Sequence, residues 1–377
     1  MGRPIRVLHT LSAIASGGVE MRHYQIATRL GAPRFDHRFI GTTGGTMTEK
    51  LLAEAIPVRL LGAVDTVFSP ERYRQGVRLA KAWTPDLVHG AVMEGTSLGV
   101  VIAQRLRVPM ILEETSDPSN RQAMGHRLVR LIAAGSTRCV AVSPAVGRYL
   151  TDNLGIPSRK VRVITNGVPA PAEFTPTEQA ELRRRWGIGA NDLVVGTVSR
   201  LFDDHKRVTD LIAAFRLLAA NRPGLHLVVV GSGPDQEAME LAAVHTGYGD
   251  RIHFVGRHVP ADAYYAIMDV FAIASSREAF GLVAAEAMRA GLPVVATAVG
   301  GLAEIVDEGN TGFLAPPLQP DTLARALEPL VDDDLLRERM GHAAAARADE
   351  HYSVERYLRE VEELYLDLLD ERSGRRS

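Results

Sequence analysis

Two glutamates frame a position where a predicted helix could bind phosphate. Glu278 and Glu286 lie eight positions apart in SSREAFGLVAAEAMRAG, and Gly281 stands between them, where an apolar strand gives way to a helical pattern. The first N–H groups of a helix lack partners within the helix and attract anions. Glycine lets a diphosphate approach this backbone closely. The predicted anion-binding N–H groups are those of Gly281, Leu282 and Val283, and Phe280 beside them is a further binding candidate.

The two carboxylates could bind hydroxyl groups on either side of that diphosphate. Carboxylates accept hydrogen bonds from paired hydroxyls. Glu278 precedes the helix and suits a sugar ring, whereas Glu286, about one and a half turns inside the helix, suits a ribose. A diphosphate between two hydroxylated groups describes a nucleotide sugar. Two glutamates at this spacing also occur by chance on many helices, so the surrounding residues must decide.

Those surroundings resemble glycosyltransferase family 4. The run EAFG continues through EAMRAGLPVVATAVGGLAEIV to GNTGFLAPP, and upstream TVSRLFDDHKRV is similar to the family segment whose arginine and lysine clamp the donor diphosphate. The matching residues are Arg200 and Lys206. The resemblance implies a retaining glycosyltransferase in which Glu278, Arg200 and Lys206 are catalytic, because fixed cations stabilise the charge of a departing diphosphate. The alternative is that both cations are ordinary surface residues.

Weaker motifs imply further donor contacts. IHFVGRHVP resembles the family strand beside which the base binds, so Arg257 and His258 are candidates, although an exposed histidine explains His258 equally well. Gly17 and Gly18 match the family's G-G-x-E turn, for which a plain tight turn is the alternative. Family frequency favours uracil as the base, and guanine and adenine stay open.

The chain departs from the family pattern at two places. Many members place a histidine facing the sugar where this chain reads MILEETSDPSN, which makes Glu114, next to Glu113, a candidate for the sugar contact. Where the family commonly has Lys-Gly, this chain has Lys206 followed by Arg207. Two alternative hypotheses therefore stand beside the enzyme: a catalytically weak nucleotide-sugar-binding or partner protein, and another GT-B chemistry such as nucleotide-sugar epimerisation.

Neither a cofactor nor a metal is expected. No His/Cys/Asp cluster has the spacing of a metal site, and Asp203 and Asp204 precede Lys206 rather than forming a cage. Lone histidines at strand ends, His9 and His89, are expected to be hydrogen-bonded structural residues. The glycine turn lacks the G-x-G-x-x-G fingerprint of dinucleotide-binding folds.

Two series of βαβ units must position these residues. Short apolar runs alternate with helical patterns, and the alternation restarts after residue 190. This predicts an α/β fold with two Rossmann-like parallel-sheet domains facing a central cleft, the GT-B architecture that the resemblance implies. The predicted parts are an acceptor-side domain at 1–168, a proline-rich linker at 169–184, a donor domain at 185–352, and an amphipathic helix at about 353–370 that packs back on the first domain.

Charge is divided unevenly along a chain whose net charge is −2. Residues 1–170 carry 22 Lys and Arg against 12 Asp and Glu, which leaves 21 against 33 for the remainder. A basic domain favours a negatively charged acceptor or an anionic membrane surface, and an uneven solvated surface is the equal alternative. The basic candidates are Arg72, Arg74, Arg78, Lys81, Arg121, Arg127 and Arg130.

The expected partners are a nucleotide-sugar donor and a glycan, lipid-linked or small-molecule acceptor, with no nucleic acid. No apolar run is long enough to span a membrane. The expected location is therefore the cytoplasm, with peripheral contact at the inner face of the membrane as a hypothesis.

Overall fold

The chain forms two compact units, each built on a parallel sheet. The structure, a computed structural model, describes residues 3–15, 17–62 and 69–374. The first unit comprises Met1–Gly167 and Val354–Ser377, and the second comprises Val168–Ser353. The predicted α/β class with two parallel-sheet domains is confirmed.

In the described part of the first unit, seven strands form a parallel sheet in the order β5-β3-β1-β6-β7-β8-β9, and β2 pairs with β4 in a separate short sheet. The strands are β1 (Ile5–Thr10), β2 (Ala13–Ile14), β3 (Phe35–Gly41), β4 (Thr43–Gly44), β5 (Val58–Leu60), β6 (Leu87–Ala91), β7 (Met110–Glu114), β8 (Arg138–Ala141) and β9 (Val161–Val163). The α-helices are α1 (Gly18–Arg29), α2 (Thr46–Ala53), α3 (Pro70–Trp83), α4 (Met93–Leu106), α5 (Ala123–Gly135) and α6 (Pro144–Arg148).

The second unit repeats this plan with six strands in the order β12-β11-β10-β13-β14-β15. The strands are β10 (Leu193–Val198), β11 (Leu225–Val230), β12 (Ile252–Gly256), β13 (Val270–Ile273), β14 (Val294–Thr297) and β15 (Gly312–Ala315). The α-helices are α7 (Pro176–Arg185), α8 (Asp203–Lys206), α9 (Val208–Ala219), α10 (Gln236–His245), α11 (Asp262–Tyr265), α12 (Leu282–Arg289), α13 (Leu302–Ile305), α14 (Pro320–Asp332) and α15 (Asp334–Tyr352). The strand order reverses between β10 and β13, and open α/β sheets bind ligands outside the carboxyl ends of strands at such a switch point.

The stretch predicted to be an irregular linker contains a helix. Prolines between Pro169 and Pro176 suggested that no regular element would form, but α7 begins at Pro176. Proline suits the first helical position, where its missing N–H costs no hydrogen bond. The Thr175 side chain accepts from the backbone N–H of Glu178, and the Glu178 side chain accepts from the backbone N–H of Thr175, which completes a capping box.

After the second unit the chain returns to the first as α16 (Val354–Ser373). Its apolar face packs on the inner residues of β1, β3, β6, β7 and β8. The buried residues of that face are Val354, Tyr357, Leu358, Val361, Leu364, Tyr365 and Leu368. Within the described residues, no helix has both the length and the apolar character that a membrane span requires.

Candidate active site

The loops that follow β10 and β13 meet at the switch point of the second sheet. The backbone N–H of Ser276 donates to the carbonyl of His205 at 2.8 Å. Arg277 forms an ion pair with Asp204. These contacts fix the two loops side by side although they lie about 70 residues apart in sequence.

Lys206 and Glu278 form an ion pair between these loops. The Nζ of Lys206 donates to Oε2 of Glu278 at 2.5 Å, and the two side chains are 17% and 18% exposed. Each charge neutralises the other. A ligand that carries both an anion and hydroxyl groups could replace both halves of this contact, because the anion suits the ammonium and the hydroxyls suit the carboxylate.

Arg200 is not joined to this pair. It is exposed at the end of β10, and its guanidinium lies 5.5 Å from the centroid of the Phe202 ring. The structure therefore brings together two of the three predicted catalytic residues and leaves the third on the same edge of the sheet.

Arg207 occupies the position where the family commonly has glycine, and its backbone is left-handed, with φ +51°. Its side chain lies against α9, where it pairs with Asp210 at 2.7 Å, and it approaches Asp203 at 3.6 Å. Left-handed backbone is costly for residues other than glycine. The turn after Lys206 thus keeps a glycine-like conformation, and the two carboxylates hold the arginine there.

Gly281 provides the predicted turn into α12. Its φ is +108°, and a Cβ at this position would lie 2.6 Å from Cδ2 of Leu302. The backbone N–H of Gly301 donates to the carbonyl of Glu278 at 3.0 Å, and this hydrogen bond holds the Glu278 loop against the start of α13. The first turn of α12, with Leu282 and Val283, therefore begins at the edge where Glu278 lies, next to the buried ring of Phe280.

Glu286 lies inside α12 and is partly buried. The hydroxyl of Tyr265 donates to its Oε2 at 2.9 Å. Burial raises the pKa of Glu286 to about 7, and Asp262 adds to this increase while the hydrogen bond from Tyr265 opposes it. Tyr265 was not found from the sequence, because a tyrosine on a short helix carries no motif that links it to a glutamate 21 positions later.

Arg257 and His258 follow β12 on the same edge and are both exposed. The Nε2 of His258 lies 3.0 Å from the carbonyl oxygen of Val255 and 3.1 Å from the hydroxyl of Tyr264. His258 therefore has partners within its own unit while its ring remains accessible.

Of the predicted residues in the first unit, two glycines begin α1, whereas Glu114 is buried. Gly17 is the N-cap of α1 and Gly18 its first residue, with extended backbone at Gly17. Glu114 is buried, where it accepts from Arg121 at 2.8 Å and from the backbone N–H of Ser116 at 2.9 Å. The carboxylate of Glu114 is therefore already satisfied by the fold.

Glu113 and the two strand-end histidines belong to a buried polar cluster. Glu113 contacts Arg22 and His23, each at 3.0 Å, and His9 and His89 lie beside them. Ring nitrogens of His9, His23 and His89 lie within 4.8 Å of one another, so these residues form a group with metal-ligand chemistry in the part of the chain that is described. Sequence spacing did not reveal this group, because its members come from different elements.

Two parallel α/β units, the second with paired charges at its switch point, define the chain as a GT-B enzyme. The family model described as Glycosyl transferases group 1 matches residues 178–347, and the Glycosyl transferase 4-like domain matches residues 17–167. The chain belongs to glycosyltransferase family 4, and it is a glycosyltransferase.

Curated relatives cover most of the chain. D-inositol 3-phosphate glycosyltransferase of Arthrobacter sp. is 29% identical over 375 residues, which cover 92% of this chain and 86% of the relative. N-acetyl-alpha-D-glucosaminyl L-malate synthase of Bacillus anthracis is 27% identical, over 73% of this chain and 72% of the relative. Among solved structures, Anabaena HepE in complex with UDP and glucose superposes with a TM-score of 0.85 at 24% identity, over 96% of this chain and 100% of HepE.

Proposed function

We propose that the enzyme transfers a sugar, with retention, from a UDP-sugar to a hydroxyl of a glycan, a lipid-linked molecule or a small molecule. The observation that carries this proposal is the Lys206–Glu278 pair at the switch point, beside the Gly281 helix start. Glu286 supplies the second carboxylate, partly buried at the same edge, where it accepts a hydrogen bond from Tyr265. Uracil is supported by the HepE structure, which contains UDP.

Each group has a distinct role in the proposed reaction. Lys206 leaves Glu278 and binds the diphosphate together with Arg200 and the first N–H groups of α12. Glu278 then accepts hydrogen bonds from the sugar, and Glu286 accepts them from the ribose. The bond between the anomeric carbon and the diphosphate oxygen breaks, and the acceptor oxygen bonds to that carbon on the same face. The acceptor proton passes to the departing diphosphate, so no separate base is required.

A donor panel tests this function. Ligands that bind only the folded state raise the melting temperature. We expect UDP and one UDP-sugar to raise it more than GDP or ADP, and slow release of UDP from that donor without an acceptor. Equal shifts with all three nucleotides would refute uracil selection, and binding without hydrolysis or transfer would favour a sugar-nucleotide-binding protein.

We propose that transfer requires no metal ion. The acidic residues closest in sequence to Lys206 are already engaged, since Asp203 accepts from the backbone N–H of Thr209 at 3.1 Å and Asp204 pairs with Arg277. Cationic side chains are therefore expected to balance the diphosphate. Turnover should be unchanged by a chelator, and a loss that magnesium restores would contradict this.

We further propose that the first unit contacts anionic membrane lipid from the cytoplasmic side. A groove of about 750 Å³ between α3 and α4 has an apolar floor that includes Val77 and Val101. Its cationic lining residues are Arg74, Arg78, Lys81 and Arg105. The acidic residue near them, Glu71, lies 3.5 Å from Arg74 and is largely exposed. Such a surface suits a phosphate headgroup with its alkyl chain.

Vesicle sedimentation tests this contact. The protein should bind vesicles that contain phosphatidylglycerol and not vesicles of phosphatidylcholine alone. The double variant Arg78→Ser/Lys81→Ser should lose binding, whereas Arg59→Ser/Arg159→Ser, an equal charge change on exposed residues outside the groove, should keep it. Equal loss in both variants would show general charge attraction without a groove site.

A further inference from the structure

A chain of buried histidines crosses the core of the first unit. The Nε2 of His37 lies 2.9 Å from the carbonyl oxygen of Leu30, and its Nδ1 lies 2.9 Å from Nε2 of His9. The Nδ1 of His9 lies 2.7 Å from Nδ1 of His23, and Nε2 of His23 lies 3.0 Å from Oε2 of Glu113. The three rings and the carboxylate are all at least 96% buried.

Both ends of this chain can only accept hydrogen bonds. A backbone carbonyl has no proton to donate, and neither does an ionised carboxylate. This row of histidines contains four hydrogen bonds, and each needs one N–H proton. Three neutral imidazoles carry only three such protons between them. One imidazole must therefore be doubly protonated if Glu113 is ionised and every bond is formed.

The surroundings indicate where the charge lies. Burial lowers the pKa of His9, with its histidine neighbours adding to the effect, and burial lowers the pKa of His37 to about 4. Although burial opposes ionisation of Glu113, Arg22 and His23 hold its pKa below its usual range. His23 is the ring in direct contact with that carboxylate, and opposite charges in contact stabilise each other most in a dry core.

The geometry between His9 and His23 suits a shared proton rather than a metal ion. The ring centroids are 5.0 Å apart, which is about the 2.7 Å N–N distance plus the two ring radii. The N–N line therefore runs through both rings, so the N–H of one ring points at the lone pair of the other. Ligands of a tetrahedral metal point at a common centre from different directions.

We propose that the first unit folds around a buried His23 imidazolium paired with Glu113, and that this pair positions α1 on the sheet. His23 and Arg22 lie on α1, whereas His9, His37 and Glu113 lie on three strands of the sheet. The charge thus fixes the helix that begins at the Gly17–Gly18 turn. This inference concerns the fold of the first unit and does not depend on the proposed reaction.

Other titratable groups face the His23–Glu113 pair but take part in none of the four hydrogen bonds counted above. Nδ1 of His89 lies 2.7 Å from the hydroxyl of Tyr365 on α16, and its Nε2 lies 3.6 Å from Glu113. Burial raises the pKa of Tyr357 and of Tyr365, so both hydroxyls stay protonated at neutral pH. Arg22 adds a second buried cation beside Glu113 at 3.0 Å.

Nitrogen-15 NMR of the imidazole rings tests the proposal directly. At pH 8 we expect one ring with both nitrogens protonated and assigned to His23, and neutral rings at His9 and His37. Glu113→Gln supplies an amide donor to Nε2 of His23, and His37→Phe removes the carbonyl-bound end, so either variant should leave His23 neutral. Neutral rings throughout the wild-type chain, or one equivalent of zinc in the purified protein, would overturn the proposal.

The pH dependence of stability is the second readout, and it covers the case in which Glu113→Gln does not fold. A folded state that holds one proton more than the unfolded chain loses about tenfold in its folding equilibrium constant per pH unit. Unfolded histidine is largely neutral above pH 7.5. In a Trp186→Phe/Cys139→Ala background, Trp83 reports on the first unit, and the buried Cys139 thiol, whose pKa burial raises, adds no slope of its own. Urea unfolding between pH 7.5 and 9 should then show this slope.

His37→Phe should lack that slope, and His126→Phe should retain it. Nδ1 of His126 lies 2.9 Å from the hydroxyl of Tyr149, outside the row of His37, His9 and His23, so this variant removes a histidine without altering that row. A slope in His37→Phe equal to that of the parent would refute the excess proton.

Discussion

Substitutions of Lys206 and of Glu278 should have opposite effects on UDP affinity, because the two side chains form an ion pair. Glu278→Gln removes the carboxylate that competes with the donor phosphates for Lys206, so we expect UDP affinity to be equal or higher. Turnover should fall at least about tenfold, or roughly 1.4 kcal/mol of barrier, because the sugar contact is lost. Calorimetry with UDP and steady-state kinetics measure the two effects.

Lys206→Ala should lower both UDP affinity and turnover, since it removes a cation and leaves the Glu278 carboxylate facing the phosphates. The expected loss in turnover is again at least about tenfold. Lys206→Arg keeps the charge and is the matched control for affinity. Tighter UDP binding by Lys206→Ala than by Glu278→Gln would contradict the assigned roles.

The partly buried carboxyl of Glu286 should make stability depend on pH. Its pKa is raised to about 7 by burial, so the folded state binds a proton more tightly than the unfolded chain does. Ionising this carboxyl therefore destabilises the folded state. The loss of stability is absent well below pH 4.5, grows as pH rises, and is complete above pH 7. Between pH 5 and 8 this amounts to roughly 2 to 3 kcal/mol.

Glu286→Gln should remove that dependence while keeping the hydrogen bond from Tyr265. We expect a smaller loss of unfolding free energy between pH 5 and 8 than in the parent, together with weaker UDP binding because an amide replaces the ribose-binding carboxylate. Denaturant unfolding at both pH values and calorimetry measure this. The same pH dependence in both proteins would show that Glu286 is ionised throughout.

At the residue scale, the sequence located the charged groups but not their partners. Lys206, Glu278 and Glu286 were predicted as site residues because their motif is local and chemically distinctive. Tyr265 was missed, and Glu114 was proposed for the sugar although Arg121 already holds it. Such pairings depend on tertiary contacts between elements far apart in sequence, and one sequence contains no signal for them.

At the element scale, the turn into α12 depends on Gly281, and an alanine there should disrupt it in two ways. The φ of +108° would be strained, and the new Cβ would meet Leu302 at 2.6 Å. We expect Gly281→Ala to cost about 2 to 4 kcal/mol in unfolding free energy, from backbone strain and overpacking together, and to weaken UDP binding. Denaturant unfolding and calorimetry check both.

Gly309→Ala is the control for strain alone. Gly309 also has positive φ, +78°, but a Cβ there would have no neighbour within 4 Å. We expect a cost of about 1 kcal/mol, from strain in left-handed backbone, and unchanged UDP binding. An equal loss of UDP affinity in both variants would show that the effect is not specific to the α12 turn.

Strands within continuous apolar runs were predictable from sequence, and other short strands were not. β10, β11, β13 and β14 coincide with apolar runs, because strands buried on both faces read as continuous hydrophobic segments. β5 and β15 were missed, because Arg59 interrupts the first and the second is only GFLA between Thr311 and Pro316. The helix after Pro176 was missed because prolines were taken as breaks, although capping by Thr175 makes this proline a helix start.

At the scale of the whole molecule, segments that are far apart in sequence pack together in the first unit. The second unit is inserted between residue 167 and α16, so the first unit cannot complete its core until the last helix is present. α16 contributes fully buried tyrosines, Tyr357 and Tyr365, to that core. The spacing of apolar residues predicted this helix, but only the structure shows that Tyr365 forms a hydrogen bond with His89.

Leu364→Ala should therefore destabilise the first unit, although it lies after the second in sequence. Leu364 is 2% exposed and packs on the core of the first sheet. Removing a buried leucine side chain costs about 2 to 5 kcal/mol. Hydrogen exchange read by mass spectrometry should show faster exchange in β1, β3, β6 and β7, with β10 to β15 unchanged.

Leu330→Ala is the reciprocal variant, because Leu330 on α14 is fully buried in the core of the second unit. It should accelerate exchange in β10 to β15 and leave the first sheet protected. UDP should restore protection in the second unit of Leu330→Ala, since a ligand that binds only the folded state stabilises it, and it should restore β10 and β13 first. Acceleration in both sheets by either variant would mean that the two cores unfold as one cooperative body.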